Sequence, residues 1–255
     1  MERHAEPQET PHAPMILALL EAMLDDGPID PAILTQLRDP AAGAAMAKAD
    51  AELRALDWPN LGRYQASNAE IIASGERPDI VFMGDSITEA WPLGDPAMFG
   101  PGRVGRGIGG QTSPQMLIRF TPDVLALKPK TVHLASGGND IAGNTGPSTP
   151  ARVQDNLTAM LDLAQAHGLR VLLSSITPAS VVPWNPTMGD PRPWIAEMNT
   201  WLEAEAGRRG ATFMNYHPAL ADETGAMRAE FTRDGVHPNR KGYAAMREVF
   251  ERALA

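Results

Sequence analysis

The sequence predicts an α/β protein built on a parallel sheet of about five strands, with helices on both faces. Two observations carry this reading. Short apolar runs recur from residue 79 onward: Asp79–Met83 (DIVFM), Thr131–Ala135 (TVHLA), Leu169–Ile176 (LRVLLSSI) and Ala211–Asn215 (ATFMN). They are continuous rather than alternating, as strands covered on both faces require. Helical stretches at 113–127, 150–167, 191–208 and 238–254 alternate with them, the pattern of βα units. At 255 residues the chain is near the upper size for one core, which suits one main domain with a small extension.

The elements follow in order. Residues 1–14 are polar and proline-bearing and read as a tail. Residues 15–24 (MILALLEAML) fit a short helix, stopped by Asp25-Asp26-Gly27-Pro28. Asp30-Pro31 reads as an N-cap with proline in the first turn, opening a helix to about Leu37. Asp39-Pro40 precedes an Ala-rich helix over about 41–56, and another helix follows Asn60. Gly102–Gly105 (GRVG) is a weaker strand candidate. The expected division is a tail and helical extension over 1–60 and a main domain over 61–255.

Composition narrows the function classes. The chain has no cysteine, which excludes a disulfide scaffold, a thiolate metal site and a Cys nucleophile. Its net charge is −9 and it has no Lys/Arg run, so nucleic acid and anionic membranes are not expected partners. The N-terminus lacks the basic start and apolar stretch of a secretory signal, and no run is long enough to span a bilayer. A soluble cytoplasmic protein is the expectation.

In open parallel sheets ligands bind beyond the carboxyl ends of the strands, so the residues after each apolar run are the place for chemistry. Gly84-Asp85-Ser86-Ile87-Thr88 follows the first strand and lifts a serine onto a helix start, where the helix dipole favours an oxyanion. Taken alone, Asp85 or Ser86 reads more simply as a helix cap. Gly105, Gly107 and Gly110 match G-x-G-x-x-G, but without the strong first strand and later acidic residue of a dinucleotide site. Such glycines also let backbone N–H groups approach a substrate oxygen. Gly137-Gly138-Asn139-Asp140 supplies an amide able to donate to an oxyanion, or else a simple turn. Asp234-Gly235-Val236-His237-Pro238 places an acid three residues before a histidine, close enough to fix its tautomer, with Pro238 expected at the start of the last helix. Together these supply a nucleophile, oxyanion donors, a base and an orienting acid, the parts needed for acyl transfer from an ester.

In order and spacing these blocks resemble the SGNH branch of the GDSL esterase/lipase superfamily. The resemblance runs from residue 84 to 239, about two-thirds of the chain. It implies a flavodoxin-like three-layer α/β/α sandwich. It implies Ser86 as nucleophile, His237 as general base and then acid, and Asp234 as the residue orienting His237. It implies an oxyanion site made of the Ser86 and Gly110 backbone N–H groups and the Asn139 side chain. No metal or organic cofactor is implied. Relatives often carry Asn-Arg-Gly where this chain has Gly105-Arg106-Gly107, and residues 1–60 lie outside the resemblance.

The implied reaction is hydrolysis of short-chain (acetyl to butyryl) carboxylic esters through an acyl-enzyme. Carbohydrate O-acetylesterase, thioesterase and lysophospholipase activities use the same apparatus. The expected partner is a small-molecule or carbohydrate ester, with self-association through the N-terminal helices as a further role for them. Trp91, Ile141, Trp184 and Val236 are candidate substrate contacts; Trp184 is favoured, because it lies in the proline-rich 181–194 loop. His133 reads as a hydrogen-bonded core residue, His167 as a helix C-terminal residue and His217 as a reserve base. A dinucleotide oxidoreductase and a non-catalytic binding domain are the rival classes.

Overall fold

The computed structural model describes residues 13–25, 27, 31, 35 and 39–254. The helix expected over 30–37 and most of the tail lie outside the described residues. The sheet has five parallel strands: β1 (Ile80–Gly84), β2 (Arg103–Gly107), β3 (Thr131–Leu134), β4 (Arg170–Ser174) and β5 (Thr212–Met214). Their spatial order is β2-β1-β3-β4-β5, the flavodoxin-like order, which puts a topological switch between β1 and β3.

Alternation along the strands makes the three layers. Val81 and Met83 of β1, Val132 and Leu134 of β3, and Val171 and Leu173 of β4 share one core. That core is covered by α5 (Ser113–Asp123), α6 (Pro150–Ala166) and α7 (Arg192–Arg209), through Phe120, Leu157 and Met198 among others. Ile80, Phe82, Leu172 and Met214 face the opposite way, under α4 (Ser86–Gly94) and α8 (Arg240–Leu254). The three central strands β1, β3 and β4 are therefore buried on both faces, which is why they read as mainly apolar runs.

β2 is the strand whose extent the sequence understates. It runs through Gly107, in register with Gly84, so Gly105, Arg106 and Gly107 form strand rather than loop. Glycine is needed because α4 lies directly on it: a Cβ on Gly107 would stand 2.1 Å from the Glu89 backbone N. Gly105 and Gly107 of the apparent dinucleotide fingerprint thus serve strand–helix packing here, while Gly110 lies on the loop beyond.

The predicted helices are present with shifted ends. The Ala-rich helix α2 spans Pro40–Leu56 and is capped by Asp39, whose side chain accepts from Ala41 N at 2.9 Å. α3 (Gln65–Ser74) follows a single turn over Leu61–Tyr64. α5 ends at Asp123, short of residue 127, with Pro122 inside its last turn. The last helix starts at Arg240; Asn239 caps it by accepting from Lys241 N at 3.0 Å and Gly242 N at 3.1 Å. Pro238 is therefore outside the helix, in an isolated bridge to Thr232.

The N-terminal segment is joined to the body. Leu24, at the end of α1 (Ala13–Leu24), is buried with the α4–α8 core. Arg233 donates at 2.7 Å to each of the Ala22, Asp25 and Gly27 carbonyls, a cation at a helix C-terminus. Residues 57–68 strap the loop after β2. Gln111 Nε2 donates to Pro59 O at 2.7 Å and Gln115 Nε2 to Trp58 O at 2.8 Å. The Tyr64 hydroxyl donates to Gly107 O. Beneath them the fully buried Arg119 pairs with Asp123 at 2.7 Å and donates to the Gly84 and Arg106 carbonyls. Among the described residues no helix is long and apolar enough to cross a membrane.

Candidate active site

The first site residue is fixed by a helix start. β1 ends at Gly84, and the Asp85 carboxylate accepts from Ile87 N at 3.0 Å, capping α4. Ser86 opens that helix, so its N–H has no intrahelical acceptor. Burial pushes the Asp85 carboxyl up to about 6, partly countered by the Ile87 N–H and the charge of His237.

The last site residues are fixed by a tight turn. Asp234 Oδ1 accepts from Val236 N at 2.9 Å and His237 N at 2.8 Å, while Gly235 takes φ +83. Thr232 Oγ1 adds a bond to the same oxygen at 3.2 Å. The second carboxylate oxygen is left for the ring: Asp234 Oδ2 lies 2.6 Å from His237 Nδ1. A carboxylate only accepts, so Nδ1 carries the proton and Nε2 presents a lone pair. His237 Nε2 lies 2.9 Å from Ser86 Oγ.

The electrostatics agree with this geometry. Burial disfavours charge on His237, but the hydrogen bond and charge of Asp234 outweigh it and raise its pKa. Burial also works against Asp234, yet the imidazole and the two backbone N–H groups hold it down to about 2. Asp234 is thus a fixed negative charge that stabilises the imidazolium.

Two loops complete the site. Gly110 takes φ +75 on the loop after β2, and a Cβ on its neighbour Gly109 would stand only 3.7 Å from Ser86 Cβ. Asn139 sits in the first turn after β3, 6% exposed. Its Nδ2 donates to Gln111 O at 3.1 Å and reaches Asp85 Oδ2 at 3.4 Å. Asp140 ties this turn to the start of α5, accepting from Ser113 N at 2.9 Å and Ser113 Oγ at 2.6 Å. Backbone N–H groups at a helix start and on a glycine loop, with one side-chain amide, can receive the charge of a tetrahedral intermediate.

Ser86, Asn139 and His237 face a cleft of about 470 Å³, part of it open to solvent. Ile141, Trp184 and Val236 line it, together with Ile176, Ala179 and Ile195, which the sequence did not single out. Trp184 is 46% exposed and its ring lies 5.9 Å from that of His237. Trp91 is placed differently. It is fully buried, within 5.8 Å of the Phe82, His133, Tyr216 and Tyr243 rings, and it is not among the residues lining the cleft, only an adjoining pocket that shares Asp85, Ile87 and Ile176 with it. The expectation of Trp91 at the substrate cleft is therefore corrected to core packing. Trp91→Ala is expected to lower stability by about 3–5 kcal/mol in denaturant unfolding.

The other histidines fall into place. His133 is buried, bonds Tyr216 Oη through Nε2 at 3.0 Å, and is pushed down to about 3 by burial, so it is neutral. His167 closes α6. His217 begins a single turn and is not among the residues lining the cleft. Among the described residues no group of three or more His, Cys, Asp or Glu is placed to hold a metal.

A serine, histidine and aspartate linked in series above the switch point of a parallel sheet is the arrangement that hydrolases of the serine type use. The comparisons give the family. The GDSL-like Lipase/Acylhydrolase family model matches residues 82–245, and the chain belongs to that family. Among solved structures it is similar to a candidate acylhydrolase from Bacteroides fragilis, with 40% identity over 78% of this chain and 97% of that one and a TM-score of 0.74. A GDSL-like lipase from Bacteroides thetaiotaomicron is 37% identical over 78% of this chain and 98% of that one, with a TM-score of 0.73. An acetylxylan esterase from Geobacillus stearothermophilus shares the fold at 19% identity, over 69% of this chain and 93% of that one, with a TM-score of 0.57. A curated relative, the uncharacterized lipoprotein YqeF of Bacillus subtilis, is 35% identical over 75 residues, 28% of this chain and 31% of that one.

Proposed function

We propose that this acylhydrolase cleaves short-chain carboxylic esters, acetyl to butyryl, through an acyl-enzyme on Ser86. The observation that carries the reading is the continuous chain Ser86 Oγ–His237 Nε2 at 2.9 Å and His237 Nδ1–Asp234 Oδ2 at 2.6 Å. Ser86 Oγ attacks the ester carbonyl as His237 takes its proton. The oxyanion is received by the Ser86 and Gly110 N–H groups and by Asn139 Nδ2. Collapse expels the alcohol, which takes the proton back from His237. Water then repeats the sequence on the acyl-enzyme. The cleft walls are largely apolar, with Ile141, Ile176, Ala179, Ile195 and Val236 among them, which suits an acyl group.

The test is hydrolysis of p-nitrophenyl esters across acyl lengths. Rates highest at acetate to butyrate and falling for octanoate and longer support the proposal; a maximum at long chains, or no turnover by folded protein, sinks it.

A second reading, a carbohydrate O-acetylesterase, is favoured by one observation. The half-exposed Trp184 ring at the cleft offers an apolar face on which a sugar can rest. Acetate release from acetylated xylo-oligosaccharides, far more efficient than from p-nitrophenyl acetate, selects it over the first.

A further inference from the structure

We infer that Asn144 is the positioning residue that sets the oxyanion site, holding Asn139 and Gly110 in place and tying both to Trp184. The inference rests on the esterase reading above and deepens it. Asn144 lies in a turn bracketed by Gly143 at φ +71 and Gly146 at φ +100. Its side-chain amide has two N–H donors and one carbonyl acceptor. One donor goes to Gly110 O at 3.0 Å and the other to Asn139 Oδ1 at 2.8 Å. Its Oδ1 accepts from Trp184 Nε1 at 2.9 Å.

This pattern admits one orientation of the amide. Turned over, the Asn144 oxygen would face two acceptor oxygens and its NH2 would face the indole N–H. The orientation passes to Asn139: with Oδ1 held by Asn144, Asn139 can offer only Nδ2 toward a developing negative charge. Without that bond only the Nδ2 contacts, to Gln111 O at 3.1 Å and Asp85 Oδ2 at 3.4 Å, resist a rotation that would present the oxygen and repel an oxyanion. Gly110 is gripped on both sides, since its carbonyl is bound by Asn144 and the preceding Gly109 N–H by Glu89 at 2.7 Å. Two oxyanion donors from separate loops thus share one half-buried anchor, and that anchor touches the tryptophan at the cleft mouth.

Aspartate at 144 separates positioning from packing. Asn144→Asp fills the same volume and still accepts from Trp184, but has no N–H for Gly110 O or Asn139 Oδ1. Asn144→Ala, Asn144→Asp, Asn139→Ala and the Asn139→Ala/Asn144→Ala double variant are compared with wild type on p-nitrophenyl acetate. Labelling of Ser86 by a fluorophosphonate and thermal unfolding are followed in parallel. Direct loss of one oxyanion donor costs about 10²–10³ in kcat. Loss of its anchor is expected to cost about 10–100-fold in kcat with KM changed by less than about threefold. Asn144→Asp should be no better than Asn144→Ala, and the Asn144→Ala effect should shrink at least about fivefold in the Asn139→Ala background. Labelling should slow in step with kcat while thermal unfolding stays close to wild type.

If Asn144→Ala fails to fold, Asn144→Asp carries the test. Wild-type-like kcat in Asn144→Asp, or fully independent effects of the two alanine substitutions, overturns the inference while leaving the esterase reading intact. A folded wild type inert toward both the ester and the fluorophosphonate overturns the esterase reading, and this inference with it.

Discussion

Ser86→Ala is expected to lower kcat on p-nitrophenyl acetate by about 10⁶-fold, with little change in KM. The physical reason is that the His237 lone pair then has no hydroxyl proton to take and no nucleophile to activate. The substitution removes one atom at the start of α4. Asp85 still caps that helix, so the fold should survive. Some turnover above the uncatalysed rate remains, because the oxyanion donors and the cleft persist. Steady-state assays with a circular dichroism control check the result. A folded Ser86→Ala protein within tenfold of wild type would remove the acyl-enzyme mechanism and return attention to His217 or a bound water.

Asp234→Asn is expected to cost about 10⁴-fold in kcat/KM, with a change in its pH dependence that a structural defect would not produce. An asparagine can present N–H to Nδ1 and so favour the tautomer with the proton on Nε2, where it cannot accept from Ser86. The sign of the pH effect follows from the charge. Asp234 raises the pKa of His237, and the working base must be neutral. In wild type, activity therefore rises with pH through a pKa above the ordinary imidazole value of about 6.5. Without the Asp234 carboxylate, burial pushes that pKa down against only the charge of Asp85, so the acid limb should move to lower pH. An unchanged limb in Asp234→Asn would assign the titration to another group, with Asp85, pushed up to about 6, the next to examine.

How much of this was legible in the sequence varies by residue. Ser86, Asp234 and His237 were readable because each stands in a short motif whose neighbours fix its local turn. β1 and β3 are readable because a strand buried on both faces is mainly apolar, His133 of β3 being a buried polar exception with Tyr216 as its partner. β2 was nearly invisible because Gly105, Arg106 and Gly107 carry no apolar signal, and only their contact with α4 makes them strand. Trp91 was misplaced for a reason that helix geometry could have supplied. At about 100° per residue, five positions past Ser86 points well away from it, toward the sheet and α8. Asn144 carries no signal because an amide that joins Asn139 to Gly110 and Trp184, 34 and 40 residues away, leaves no spacing pattern. Arg119 carries no signal because its carbonyl and carboxylate partners come from the C-terminal ends of β1 and β2 and from its own helix.

The strap over residues 57–68 bears on how the protein can be cut and recombined. The family match begins at residue 82, and the expected division falls at 61, yet the polar accounting of the oxyanion loop closes only further upstream. A fragment beginning at 61 would lack the Trp58 and Pro59 carbonyls, leaving the buried Gln115 and Gln111 amides without those acceptors. One beginning at 82 would also remove Asn68, whose side chain joins Asp123 to Arg106. The smallest transferable unit is therefore set by hydrogen-bond closure rather than by motif content. A chimera that exchanges the body of the molecule with a relative must bring the segment from about residue 57 along, matched to the loop after β2, and α1 as well wherever Arg233 is kept.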